Sequence, residues 1–162
     1  MAFPTDRPRR LRRNATIRRL VRETVLTPHD FILPLFVVDG VDKTYRQPIK
    51  SMPECCHLSP LLAAETAQEA YGLGVQAVIL FGLPSKKDAF GSGAWADDGG
   101  VQQAAAEIKS VCPDICVICD TCLCEYTDHG HCGVIKDGSV DNDATIELLA
   151  KTALSQARAG AD

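Results

Sequence analysis

Residues 119–133 read CDTCLCEYTDHGHCG, a stretch that holds four of the chain's eight cysteines and two of its four histidines. Side chains of these types at such short spacing can form disulfides, a thiol redox pair, a closed structural zinc clip, or a metal site that keeps one position free for chemistry. In an extended chain, side chains alternate sides. Continuing the apolar run ICVIC (115–119) into the motif therefore puts Asp120, Cys122 and Cys124 on one side and Cys119 on the other, with Val117. A four-thiolate site made from Cys116, Cys119, Cys122 and Cys124 would need ligands from both faces of one ribbon. Cys122 and Cys124 instead form a same-side pair that a short loop can complete with Cys132, and the two glycines of TDHGHCG permit that return.

Three soft thiolates favour zinc over magnesium or calcium. Three protein ligands leave a tetrahedral position for water or substrate, the layout of a catalytic zinc, whereas a fourth ligand from His129 or His131 would close the site into a structural one. Both readings stay open on spacing. The redox reading rests on the C-x-x-C pairs 116–119 and 119–122; these begin inside an apolar strand, not at the helix N-terminus that lowers a thiol pKa. Asp120 shares the face of Cys122 and Cys124 and reads as a base or an orienting carboxylate, with a loop-capping role as the plainer alternative. Glu125 and His131 read as groups that orient a metal's ligands or as solvated loop residues. Cys112 and Cys116 have apolar neighbours and read as core. Cys55 and Cys56 lie in a polar connection and read as exposed thiols without an assigned task.

The elements that must position these residues follow from apolar patterning. FILPLFVVD (31–39), VQAVILF (75–81) and ICVIC are near-continuous apolar runs, as in strands buried on both faces. Thr27-Pro28 predicts a short helical turn before the first, and His29 beside it reads as structural. Residues 40–58 read as a long connection. Ser59-Pro60 opens a helix to about Tyr71, stopped by Gly72 and Gly74. The next helix aligns Val101, Ala104, Ala105, Ile108 and Cys112 on one stripe and ends at Pro113. A last helix over 143–159 aligns Ile146, Leu149, Ala150, Ala153 and Ala157, with Gly160 as its stop. The segment GSGAWADDGG matches neither the dinucleotide nor the P-loop spacing and reads as a mobile loop. Long loops after strands and short returns after helices predict an α/β fold, the first three βα units of a (β/α)8 barrel. Three units do not close a barrel, and the chain is expected to be truncated before a fourth strand.

Composition narrows the function classes. The 162 residues, 46% apolar and 23% charged, are enough for one globular domain. No apolar run is long enough to cross a bilayer, and the arginine-rich start lacks the apolar region of a secretory signal. The expectation is a cytoplasmic protein with reduced thiols and no membrane association. The net charge of −4 hides an asymmetry: residues 1–30 carry +5, leaving −9 on residues 31–162. RPRRLRRN has no interleaved aromatics, so the basic arm (1–30) is read as embracing an acidic neighbouring subunit, with no nucleic-acid partner.

Taken together, RPRRLRRN, RRLVRETVLT, FILPLFVVDG, PIKSMP, VILFGLP, KDAFGSGAW, DTCLCEYTDHGHCG and VDNDATIELLAKTALSQARAGAD resemble the porphobilinogen synthase (5-aminolevulinate dehydratase) family, in order and across essentially the whole chain. The resemblance implies a (β/α)8 barrel, an arm that wraps a neighbour in a homo-octamer, and a lyase that condenses two molecules of 5-aminolevulinate to porphobilinogen in tetrapyrrole (heme) synthesis. It implies that Cys122, Cys124 and Cys132 bind a catalytic Zn2+, that Asp120 stands beside it in the active site, and that any allosteric Mg2+ binds outside this chain. His131 matches a histidine sometimes given to a second, weaker metal site. Two departures stand out. PECCHLSP (53–60) replaces a family pattern without cysteines. No lysine matches the two strand-borne lysines with which the family forms Schiff bases, so the chain by itself is expected to be inactive, leaving metal binding or subunit docking as the alternative role.

Overall fold

The computed structural model describes residues 4–6 and 8–162. Residues 1–3 and Arg7 of the expected arm lie outside them. The rest of the arm holds a 3-10 turn, Arg10–Arg12, and a short helix α1 (Ala15–Leu20), whose N-cap Asn14 accepts a hydrogen bond from the Ile17 amide at 2.9 Å. None of its residues is buried. A second 3-10 turn, Pro28–Asp30, forms at the expected place, held by a capping box in which Asp30 accepts from the Thr27 amide at 2.7 Å.

A five-stranded sheet follows, built from β1 (Ile32–Val38), β2 (Arg46–Pro48), β3 (Cys56–Leu58), β4 (Ala77–Leu83) and β5 (Cys116–Cys119), in the order β2-β3-β1-β4-β5. β1, β4, β5 and β3 run parallel, and β2 pairs antiparallel with β3. The three apolar runs are thus strands, as their composition predicts. Residues 40–58 are more than a connection, because they form a hairpin that adds two strands beside β1. Each is three residues long, too short for any periodicity to show.

Two helices cover one face: α2 (Pro60–Gly72), opened by Ser59 at the N-cap and Pro60 at the first position, and α3 (Gly100–Val111). Leu35 and Val37 of β1, Val78 and Leu80 of β4 and Val117 of β5 form one core with Ala63, Ala64 and Ala67 of α2 and with Val101, Ala104, Ala105 and Ile108 of α3. The alanine stripe lets α2 lie close to α3 and to the strands. The residues between, Phe36, Ile79, Phe81 and Ile118, are half-buried on the other face, where Phe36 and Phe81 stack at 5.6 Å. This covered-face, open-face division corrects the reading of Cys116. It begins β5 on the uncovered side and is exposed, while Cys112 is buried as expected.

A small hairpin, β6 (Ile135–Lys136) and β7 (Ser139–Val140), precedes α4 (Asn142–Arg158), which Asp141 caps by accepting from the Ala144 amide at 3.2 Å. α4 departs from its expected apolar stripe. Ile146 is 55% exposed, and Ala150, Ala153 and Ala157 are exposed too; the buried face carries Thr145, Thr152, Ser155 and Gln156. Hydrogen bonding to loops, not apolar burial, decides how this helix sits. Among the described residues no helix is long and apolar enough to cross a membrane. The three βα units form an open sheet that does not close on itself.

The core argument gives a direct comparison. Ile108→Ala, at a side chain with no exposed surface, should destabilise the chain by about 2–5 kcal/mol. Ile79→Ala, on the open face, should cost clearly less. Chemical denaturation of both variants checks the difference.

Candidate metal centre

β5 ends at Cys119, so strand alternation does not by itself gather the thiols. Asp120 continues the ladder for one bond, its amide donating to the Leu80 carbonyl at 3.1 Å, after which the chain turns: the amides of Tyr126 and Thr127 both donate to the Leu123 carbonyl at 2.9 Å. Gly130 then takes a left-handed conformation (φ +73°), which brings Cys132 back. The result places the Cys122 Sγ 3.3 Å from the Sγ of both Cys124 and Cys132, and all three sulfurs lie within 4.8 Å of one another. In a tetrahedral site with Zn–S bonds of about 2.3 Å, sulfurs stand about 3.8 Å apart, so an adjustment of a few tenths of an ångström suits the set to such an ion.

The histidines take no part in this cluster. His129 lies with its Nε2 3.2 Å from the Ala89 carbonyl, and its Nδ1 accepts from the His131 amide at 3.2 Å, which occupies both ring nitrogens; His131 is exposed. The cluster among the described residues is three cysteines without a histidine or carboxylate. All eight cysteines are free. Cys119, on the opposite face from Cys116, packs against the core and is pushed up to about 12 by burial, which removes support for a redox pair at 116–119. Burial, with the neighbouring Cys122 and Cys132 thiols, pushes Cys124 up to about 12, and the Cys122 contact raises Cys132.

The loop over 82–100, whose segment GSGAWADDGG (91–100) reads from sequence as mobile, supplies much of the support. The Asp88 amide donates to the Tyr126 carbonyl at 3.3 Å and its carbonyl accepts from the Asp128 amide at 3.1 Å, so the two loops pair like a pair of strands. The Asp88 carboxylate accepts from the Phe90 and Ser92 amides at 2.9 and 3.1 Å and from the Ser92 hydroxyl; the hydroxyl bond leads in holding this carboxyl below its ordinary value. The chain then forms a 3-10 turn, Ser92–Trp95. Tyr126 is buried in a slot where Gly82 and Gly93 leave room for its ring and Gly91 for its Cβ; a Cβ at Gly82 would come within 2.9 Å of Val101 Cγ2 and overlap the tyrosine ring. The pairing of Asp88 with Tyr126 was invisible to spacing arguments, since the two lie about forty residues apart in the chain.

α4 holds the other side. The buried Gln156 amide donates to the Asp120 carbonyl at 3.0 Å and accepts from the Thr121 hydroxyl at 2.8 Å, fixing the residues just before Cys122. Gln102, also buried, ties the Ala94 carbonyl at 2.9 Å to the Ser155 hydroxyl at 2.8 Å. The Thr145 hydroxyl accepts from the Val134 amide at 3.1 Å, and Gly133 lies so close that a Cβ there would stand 2.7 Å from Thr145 Cγ2 and from Val140 Cγ1.

A cleft of about 230 Å³ opens at the C-terminal end of β4, with Phe36 and Phe81 as its apolar wall and with Lys87 and Glu125, the residue after Cys124, at its rim. Burial raises the Glu125 carboxyl above its ordinary value first, and the Asp120 charge adds to it. Asp120 itself is half-buried.

Gly133→Ala tests how tightly the return of Cys132 is specified. Overpacking should cost about 1–3 kcal/mol and move Cys132 away from its partners. The expected readout is a weaker cadmium–thiolate charge-transfer band on titration, with Gly130→Asn, which tolerates positive φ, close to the parent.

Comparison with known proteins agrees over the whole chain. The family model described as delta-aminolevulinic acid dehydratase matches residues 5–162. The delta-aminolevulinic acid dehydratase of Synechococcus elongatus is 53% identical over 99% of this chain and 50% of its own length. That of Bacillus subtilis is 51% identical over 100% of this chain and 49% of its own. The crystal structure of the Toxoplasma gondii enzyme in complex with the reaction product porphobilinogen superposes with a TM-score of 0.88 at 35% identity, covering 97% of this chain and 45% of that one. The chain thus spans about half the length of the curated relatives it matches, and it belongs to the delta-aminolevulinic acid dehydratase family.

Proposed function

We propose that these residues form the metal-binding part of a porphobilinogen synthase active site, in which two molecules of 5-aminolevulinate are condensed and dehydrated to porphobilinogen. The observation that carries this reading is the three-thiol cluster at the C-terminal side of a parallel sheet, where α/β enzymes of barrel type place their chemistry. The donor set fits zinc and does not fit magnesium, which demands oxygen ligands. Cys122, Cys124 and Cys132 would hold the ion. When bound, zinc supplies a Lewis acid that polarises a substrate carbonyl or lowers the pKa of a coordinated water.

The chain's own groups would do the rest. Asp120, whose backbone is held by bonds to Leu80 and Gln156, would be the group that accepts or returns a proton. The Phe36–Phe81 wall keeps water from one side of the cleft, where Lys87 and Glu125 offer opposite charges to a substrate that carries both an amine and a carboxylate. None of the seven lysines is buried, and Lys109 is engaged by Asp162 at 2.7 Å. A Schiff-base lysine works by having its amine desolvated, so catalysis is assigned to the chain only together with residues it lacks. The exposed arginines of the arm and the acidic remainder support docking between subunits, consistent with a homo-octamer in the cytoplasm.

Zinc titration of the metal-free chain should give one site per chain. Because thiols raised in pKa must lose their protons to bind, uptake should release protons, and affinity should fall continuously as pH is lowered from alkaline through neutral values. Cys124→Ser or Cys132→Ser should lower affinity by about a hundredfold or more, and millimolar magnesium should not compete. Retained stoichiometric zinc in Cys124→Ser would remove the assignment. Borohydride added with 5-aminolevulinate should leave the mass of the isolated chain unchanged; a trapped adduct would contradict the part given to the lysines. Deleting residues 1–20 should weaken self-association in sedimentation velocity, and an unchanged profile would remove the arm's role.

A further inference from the structure

Cys55 and Cys56 are half-buried, which corrects their reading as exposed thiols. Their position follows from how β3 meets β1. The two strands pair only at Phe36↔His57 and Val37↔Leu58, so Leu33–Leu35 of β1 have no strand beside them on that side. The notch left there is a cavity of about 100 Å³, bordered by Leu33, Leu35, Leu58 and Arg46 and by both cysteines.

Adjacent residues of a regular strand point to opposite faces. Cys55 and Cys56 border one cavity because a turn precedes them. Glu54 adopts a left-handed backbone (φ +69°), which a non-glycine residue takes only at some cost. The Cys55 amide then donates to the Met52 carbonyl at 3.1 Å, and its carbonyl accepts from the Ile49 amide at 2.9 Å. Cys56 enters the β2–β3 ladder opposite Pro48. Both backbones are thus fixed, and the two cysteines line one partly open notch.

We propose that Cys55 and Cys56 form a second soft-ligand site, separate from the three-thiol cluster, which takes a monosubstituted trivalent arsenical. Such a compound, R–As(OH)2, reacts with two thiols to form two As–S bonds, and its two hydroxides leave as water with the thiol protons. Arsenic stays trivalent and no electrons are exchanged. The preference of soft centres for sulfur selects the thiols. The leucine side chains of the notch suit an organic substituent, which a fully hydrated metal ion lacks. The class of ligand is therefore an organoarsenical or another soft acceptor that prefers two thiols, and not an oxygen-seeking cation.

The probe is phenylarsine oxide, followed by intact-mass spectrometry under native conditions. The parent chain should carry two phenylarsenic groups. Cys55→Ser and Cys56→Ser should each carry one, since a chelate needs both thiols, and the Cys122→Ser/Cys124→Ser/Cys132→Ser chain should keep one. Circular dichroism establishes that each variant is folded. Peptide mapping of the unmutated chain gives a test without substitution: a single fragment containing Cys55 and Cys56 should carry the arsenical and lose it to ethanedithiol. The proposal is overturned if that fragment is unmodified, if the triple variant carries no arsenical, or if either single variant still carries two.

Discussion

Everything at the cysteine loop depends on Tyr126 filling the slot between Gly82, Gly91 and Gly93. Three thiols with the Cys122 sulfur 3.3 Å from each of the other two cannot be held together by their own attraction; as neutral groups they gain little from meeting, and as thiolates they repel. The backbone must impose the arrangement. A buried tyrosine with Gly82 and Gly93 against its ring and Gly91 against its Cβ fixes the loop against the end of β4, and burial raises its hydroxyl pKa, so that it stays neutral. The Asp88–Thr127 pairing and the Gln156 clamp then act on a segment whose position is already set. Pre-organisation of this kind is what lets a metal gain its full binding energy without first ordering its ligands.

The architecture divides labour between the two faces of the sheet. The face under α2 and α3 is an ordinary apolar core, and it gives the strands fixed ends. The opposite face holds the aromatic pair and leads to the cleft and to Asp120. α4 serves the site rather than the core. Among its buried residues, Thr145 bonds the Val134 amide, Gln156 bonds the Asp120 carbonyl and the Thr121 hydroxyl, and Ser155 accepts from Gln102 of α3.

The parts legible in sequence were those set by local pattern. The long apolar runs gave β1, β4 and β5; the Val101–Cys112 stripe gave α3; and Thr27-Pro28, Ser59-Pro60 and Gly160 marked ends where turns and caps are found. The grouping of Cys122, Cys124 and Cys132 was also legible, although strand alternation was the wrong reason for it, since β5 stops at Cys119. Tertiary choices were not legible. Which face α4 buries depends on hydrogen-bond partners in the 120–134 loop and on Gln102 of α3. Whether Cys116 or Cys56 is covered depends on where the helices and the β2–β3 hairpin settle. The order of residues 88–95 comes from one carboxylate and a tyrosine more than thirty residues further on.

X-ray absorption at the zinc edge of the zinc-loaded chain tests the central claim most directly, because it counts the atoms around the ion. The account predicts three sulfurs at about 2.3 Å and one lighter atom, unchanged in a His129→Ala/His131→Ala chain. A shell of four sulfurs, or fewer than three sulfurs with the outer scattering of imidazole, would contradict it.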